Sequence, residues 1–198
     1  ELRHFLVEQF IFSSTMLVHA PCEPGERITE DWPLEAKWDY PRSKIRTEEL
    51  IRAEHGNIPY VLLRIAGVYD DRGHSIPLAN QMQRIYERWL TSQVYPGDIN
   101  RGQAFLHLED LIDVLWRLVQ RRGQLPAELP LIIGGPETLS YGELQRAFAR
   151  LLHNEPWPTR QIPKAVAKTG AWVQDNLPFA EDPFIKPWMV DLADDHYE

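Results

Sequence analysis

Trp38-Asp39-Tyr40-Pro41-Arg42-Ser43-Lys44 decides how the chain reads, because it opens a helix between two short apolar runs. Pro41 is favoured in a first helical turn, where its missing N–H costs no hydrogen bond. The helix fades at His55-Gly56-Asn57, where glycine supplies a C-terminal stop. Before it, Phe10-Ile11-Phe12 reads as a short buried strand; after it, Tyr60-Val61-Leu62-Leu63-Arg64-Ile65 reads as a second. The result is a strand-helix-strand unit with Tyr40 at the mouth of the helix.

Further along, Leu78, Met82, Ile85 and Trp89 recur at helical spacing, and Leu111, Leu115, Leu118 and Val119 do so again. Each segment is expected to bury one face. Between them Phe105-Leu106-His107-Leu108 reads as a strand, approached through the turn-rich Tyr95-Pro96-Gly97-Asp98, and Leu131-Ile132-Ile133 reads as another. Ser140 and Glu143 have the spacing of a capping box, in which each side chain satisfies a free backbone donor, so a helix is predicted over 141–152. Pro156, Pro158, Pro163, Pro178, Pro183 and Pro187 then punctuate the chain, predicting an irregular arm with a short helix near 164–173.

The 198 residues are 43% hydrophobic and 25% charged, which suits one globular domain with a sizeable core. A formal net charge of −8 opposes broad attraction to nucleic-acid phosphates or anionic membranes, leaving a small molecule as the expected partner. Cys22 is the single cysteine, which excludes an internal disulfide and a multi-cysteine zinc site and fits a reducing, cytoplasmic compartment. The apolar runs fall far short of the roughly 18 residues of a membrane span. With no His-Glu-x-x-His spacing, no metal is expected, and His107 reads as a core or interface residue. Gly134-Gly135-Pro136 lacks the third glycine of a phosphate loop.

The chemistry-bearing residues lie in the first third. Tyr40 and Lys44 are four apart and share a helical face, so the Lys44 ammonium can favour the phenolate of Tyr40. A tyrosine near its ordinary pKa of about 10 is a poor base at neutral pH and needs such help. Without context the pair is a helix-start aromatic followed by a solvated lysine. The context is Ser13-Ser14-Thr15, a hydroxyl-rich strand end upstream.

Taken in order, Phe10-Ile-Phe-Ser-Ser-Thr15, Tyr40-Pro-Arg-Ser-Lys44 and Leu63-Arg-Ile-Ala-Gly-Val-Tyr69 resemble the extended short-chain dehydrogenase/reductase family, and within it the NAD-dependent epimerase/dehydratase branch. Phe105-Leu-His-Leu-Glu-Asp110 and Ile133-Gly-Gly-Pro-Glu-Thr-Leu-Ser140 resemble later family segments, so the likeness runs to about residue 152. It implies an α/β fold, the C-terminal part of a Rossmann-like doubly wound parallel sheet with a smaller substrate-binding region. It makes Tyr40 the general acid/base, Lys44 the ribose-binding cation, Thr15 a donor to the reacting substrate oxygen and Ala66 a neighbour of the nicotinamide. The cofactor implied is NAD or NADP, and the reaction a hydride transfer at a hydroxyl-bearing carbon. Homodimerisation through the helix bearing the tyrosine is implied as well. The competing reading is a non-catalytic nucleotide-binding or scaffold protein of the same fold.

On this reading residues 1–74 form the second half of the dinucleotide-binding domain, and 75–198 mainly the substrate region, with a returning sheet strand near 131–133. His19 stands where the family often has Tyr, Gly67 where many sugar-nucleotide enzymes have Asn, and Gln103-Ala104 where Arg-Asp is usual. These departures leave the sugar-nucleotide substrate open; Arg101 reads as a solvated loop residue rather than a displaced clamp. The glycine-rich turn of the family does not occur before Thr15. About 100 further residues are therefore expected to precede Glu1 in the parent protein, and the fragment alone is expected to be fragile and inactive.

Overall fold

The structure, a computed structural model, describes residues 5–176 and 186–198; Pro178 and Pro183 of the expected arm lie outside them. The chain divides into two compact units, one of Glu1–Asp71, Ala104–Glu137 and Tyr197–Glu198, the other of Arg72–Gln103 and Thr138–His196. The polypeptide thus leaves the first unit at Asp71 and returns at Ala104; a boundary at 74/75 with a returning sheet strand near 131–133 was the expectation. Its return is dictated by pairing: the strand at 128–133 lies beside the one at 60–65.

In the first unit, β1 (Phe10–Thr15), α1 (Asp39–Glu54) and β2 (Tyr60–Ile65) form the predicted strand-helix-strand. The strands are parallel, with Phe10 opposite Tyr60 and Thr15 opposite Ile65. Short β3 (Gly67–Tyr69) follows. It pairs in parallel with β5 (Gly102–His107), which feeds directly into α3 (Leu108–Gln120), and β6 (Glu128–Ile133) completes the order β1-β2-β6. Side chains alternate across β2, so its two faces meet different partners. Val61 and Leu63 pack against Leu111, Leu115 and Leu118 of α3, while Arg64 meets Glu48 of α1. The two helices therefore cover opposite faces, as a doubly wound sheet requires.

One detail departs from the periodicity reading. Val119 is exposed although Leu111, Leu115 and Leu118 pack inward. His107 caps α3, its Nδ1 accepting the Glu109 N–H at 3.3 Å. The Gly134-Gly135 pair follows β6 because its neighbours come close. A Cβ on Gly134 would lie 3.4 Å from those of Ala66 and Ala104, and one on Gly135 2.5 Å from the Phe105 carbonyl oxygen.

The second unit holds α2 (Ile76–Tyr86), β4 (Val94–Tyr95), β7 (Thr138–Ser140), α4 (Tyr141–His153), β8 (Arg160–Gln161) and α5 (Lys164–Asn176). The helix at 76–86 stops before Trp89 because Arg88 adopts a positive φ of 57°, which ends helical geometry. Trp89 is consequently exposed. Ile85, Ala149 and Trp157 make the small core, with Gln81 and Gln145 joined beneath it at 3.1 Å. Arg101 lies 4.0 Å from Asp98.

At the start of α4 the capping box is complete: Ser140 Oγ accepts the Glu143 N–H, and Glu143 accepts the Ser140 N–H at 2.8 Å. Replacing Ser140 with Ala removes one half of this reciprocal pair. The expected loss is about 1 kcal/mol, read as a lower urea midpoint with an unchanged slope; a midpoint equal to the parent's would mean that water replaces the cap without cost.

Candidate active site

The carboxyl ends of β1 and β2 gather the residues that the sequence singles out. Parallel strands end together, and here Thr15 and Ile65 are register partners, so Ala66 follows on the strand next to Thr15. The Ala66 N–H donates to the Ile133 carbonyl at 2.9 Å. With its methyl group buried beside Ala104, it forms part of the cluster that includes Met16, Cys22, Ile28 and Tyr197. Thr15 is 5% exposed. Its Oγ1 accepts the Leu17 N–H at 3.3 Å, capping the 3-10 turn Met16–Val18. That bond uses a lone pair and leaves the hydroxyl hydrogen free to donate.

Tyr40 occupies the first turn of α1 and is 49% exposed. Lys44 follows one turn later, and its ammonium lies 5.7 Å from the Tyr40 ring centroid and 5.0 Å from that of Phe12. It donates to the Ser13 carbonyl oxygen at 2.8 Å. The lysine is therefore tied to the last residues of β1 and placed beside the tyrosine, two residues from Thr15 along the strand.

Sequence reasoning missed what stands behind these groups. Glu48 is 0% exposed, Arg64 2% and His19 0%. Arg64 donates to Glu48 through Nε at 3.2 Å and Nη2 at 2.8 Å, a bidentate pair. Ser14 Oγ adds a third bond to Glu48 at 2.6 Å, and Arg52, at the rim, a fourth at 3.2 Å. The remaining nitrogen of Arg64 reaches the Glu30 carbonyl at 2.9 Å and His19 Nε2 at 3.0 Å.

A guanidinium has no lone pair to offer, so His19 Nε2 must accept, and the ring proton sits on Nδ1, which donates to the Trp32 carbonyl at 2.9 Å. His19 is accordingly neutral. Burial, then the Arg64 charge, push its pKa below the ordinary 6.5, against the opposing pull of the Trp32 and Pro33 carbonyls. Burial alone would raise the Glu48 carboxyl, but hydrogen bonds from Arg64 and Ser14 and the Arg64 charge outweigh it and hold the pKa below 4.5. Two signals in the sequence point here: a lone Arg inside an otherwise apolar strand, and a Glu at i+4 from Lys44 and i+8 from Tyr40.

Among the described residues, no group of three His, Cys, Asp or Glu is arranged to hold a metal, and no helix is long and apolar enough to cross a membrane.

The model of the NAD dependent epimerase/dehydratase family matches residues 1–133. No curated protein matches. Among solved structures, a variant of UDP-glucuronic acid 4-epimerase from Bacillus cereus, in complex with UDP-4-deoxy-4-fluoro-glucuronic acid and NAD, superposes with a TM-score of 0.68 at 19% identity, over 82% of this chain and 51% of that one. The dTDP-glucose 4,6-dehydratase of Bacillus anthracis, complexed with NAD, gives 0.66 at 18% identity over 78% and 49%. The UDP-glucose 4-epimerase of Thermus thermophilus, also with NAD, gives 0.63 at 18% over 97% and 64%. The chain thus spans about half of the first two and under two thirds of the third.

The buried network fixes the sign of a pH dependence. His19 and Glu48 both have folded-state pKa values lowered from 6.5 and 4.5, so at acid pH the unfolded chain binds more protons than the folded one and stability rises with pH. The His19 contribution is complete above 6.5 and is lost as pH falls toward its lowered value; that of Glu48 follows below 4.5. Urea midpoints should therefore fall between pH 7 and 5, and His19→Gln should flatten that slope. An equally steep slope in the variant would assign it to other groups.

Proposed function

The chain belongs to the NAD dependent epimerase/dehydratase family, and we propose that in the complete protein it supplies the proton-handling side of an NAD-dependent oxidation at a hydroxyl-bearing carbon of a sugar nucleotide. The observation that carries this reading is the placement of Lys44, bonded to the Ser13 carbonyl and lying beside the Tyr40 ring, at the carboxyl end of β1. Ligands of open α/β sheets bind outside that end.

The residues fit a nicotinamide nucleoside. Ala66, Ala104 and Gly134 offer only small groups at the strand ends, and Lys44 offers a cation that can turn from a backbone carbonyl to ribose hydroxyls. The pyrophosphate is assigned to no residue of these 198, which contain no glycine-rich turn of the required spacing. NAD is favoured over NADP because the three structural neighbours are NAD complexes. Their UDP- and dTDP-linked sugars supply the substrate class.

NAD, when bound, supplies the hydride acceptor. Tyr40 takes the proton of the substrate hydroxyl as its carbon is oxidised, and exposure at the helix mouth gives the phenol access to a bound sugar. Thr15, with its hydrogen uncommitted, donates to the same oxygen as it becomes a carbonyl. Lys44 holds the ribose and places positive charge beside the phenol. Tyr40 would give its proton back to the oxygen once the hydride had returned to the opposite face of the carbonyl carbon, and the product would be the epimer.

In the complete protein, Tyr40→Phe should lower kcat by about a hundredfold or more, and Thr15→Val by a similar factor, while calorimetry shows nearly unchanged NAD affinity for both. Turnover of a UDP-hexose by Tyr40→Phe at the parent rate would remove Tyr40 from the reaction. A parent enzyme that binds NAD yet turns over no sugar nucleotide would favour the non-catalytic reading.

A further inference from the structure

Tyr40, Lys44 and Glu48 stand at i, i+4 and i+8 on α1, one stripe of a helix. The stripe is anchored to β1 in steps. Lys44 takes the carbonyl of Ser13 at 2.8 Å, and Glu48 takes the hydroxyl of Ser14 at 2.6 Å. Thr15, the next residue, is the candidate donor. Glu48 is bound at the same time to Arg64 of β2, whose other nitrogen holds the Glu30 carbonyl and His19 on the segment leading to Tyr40.

We propose that Glu48, with Arg64 behind it, is a positioning residue for the reaction: it sets the rotation of α1 over the end of β1 and so the placing of Lys44 and Tyr40 relative to Thr15. The inference rests on the reading of those three as site residues. A helix packed only through apolar side chains can slide or turn slightly at small cost, because dispersion and burial are non-directional. A carboxylate with four donors cannot, since rotation of α1 would strip hydrogen bonds from a charge that has no access to water. The same stripe has little apolar content to hold it otherwise: Pro41 and Glu48 are the buried residues of α1.

Arg64 extends the clamp to the approach segment. Its Nη1 holds the Glu30 carbonyl; the Glu30 carboxylate in turn accepts the Ile132 N–H of β6 at 3.0 Å, and the Trp32 indole donates to the Ala20 carbonyl at 3.0 Å. The peptide entering α1 is thus fixed to the sheet by the guanidinium that fixes the helix.

The test uses the complete protein with two variants. Glu48→Gln removes the charge and leaves Arg64 buried without its counter-ion, which can prevent folding; Ser14→Ala removes a single bond and spares the ion pair. Active sites are titrated with NAD so that loss of folded enzyme is not read as loss of rate. For the folded fraction, positioning predicts that kcat falls by about a hundredfold in Glu48→Gln and by a smaller factor in Ser14→Ala, with KM for the sugar nucleotide little changed. A second readout does not depend on turnover: acetylation of Lys44 by acetic anhydride, followed by peptide mass spectrometry against Lys37 as internal reference, should quicken several-fold in both variants.

Parent kcat per titrated site and parent acetylation rates in both variants would overturn the proposal and leave Glu48 a structural residue. Quickened acetylation with unchanged kcat would keep the clamp and instead remove Lys44 from the reaction, a failure of the functional reading.

Discussion

The ion pair between Glu48 and Arg64, closed to water at both ends, is the constraint on which the first unit depends. Removing two charges from water costs several kcal/mol each, and the cost is recovered only where geometry is good and every remaining donor and acceptor is occupied. The surroundings meet that condition in detail. The carboxylate receives bonds from β1, β2 and its own helix, and the guanidinium divides its donors between that carboxylate, a carbonyl and an imidazole. A well-packed apolar substitute could stabilise the fold about as well. What it could not supply is direction, because each bond fixes an angle as well as a distance.

From this constraint the arrangement at the strand ends follows. With α1 oriented by Glu48, Lys44 reaches the Ser13 carbonyl and lies beside Tyr40. With β1 and β2 in parallel register, Thr15 ends level with Ile65, and Ala66 turns into the cluster containing Ala104. Small residues recur where backbones converge: a Cβ on Gly134 would touch those of Ala66 and Ala104 at 3.4 Å, and one on Gly135 would lie 2.5 Å from the Phe105 carbonyl oxygen. The same crowding gives Gly134-Gly135 its purpose, which is packing rather than anion binding.

Local sequence carried much of this. The strand-helix-strand over 10–65, the strands expected at 105–108 and 131–133 and found at 102–107 and 128–133, and the capped helix from Tyr141 follow from periodicity, a first-turn proline and a capping box, all of which act over a few residues. What remained hidden depends on contacts far apart in the chain. Ser14 and Glu48 are 34 residues apart and Arg64 and His19 45, so no window reveals them together, although a charge within Tyr60–Ile65 demanded a partner. Trp89 joined the apolar stripe of its helix in the sequence, yet one residue at positive φ placed it outside. His107, expected as a satisfied core or interface residue, lies edge-on to the Tyr69 ring and also accepts the Glu109 N–H at the start of α3. A returning strand near 131–133 was expected from the family resemblance, whereas the extent of the returning segment, 104–137, depends on strand pairing that hydropathy does not encode.

The two units solve the burial of polar groups by different chemistry. In the second, Gln81 donates to Gln145 at 3.1 Å, and Gln145 to the Ser92 carbonyl at 2.5 Å, so neutral amides join α2, α4 and the turn before β4. Amides of this kind bear no titrating proton and a small desolvation cost, and they serve where only shape has to be held. The first unit places a charged network one helical turn behind Lys44, at a greater desolvation cost and with a dependence on pH. On the proposed reading of Tyr40, Lys44 and Thr15 as reacting groups, the buried charge behind them supplies the directional hold that such groups require.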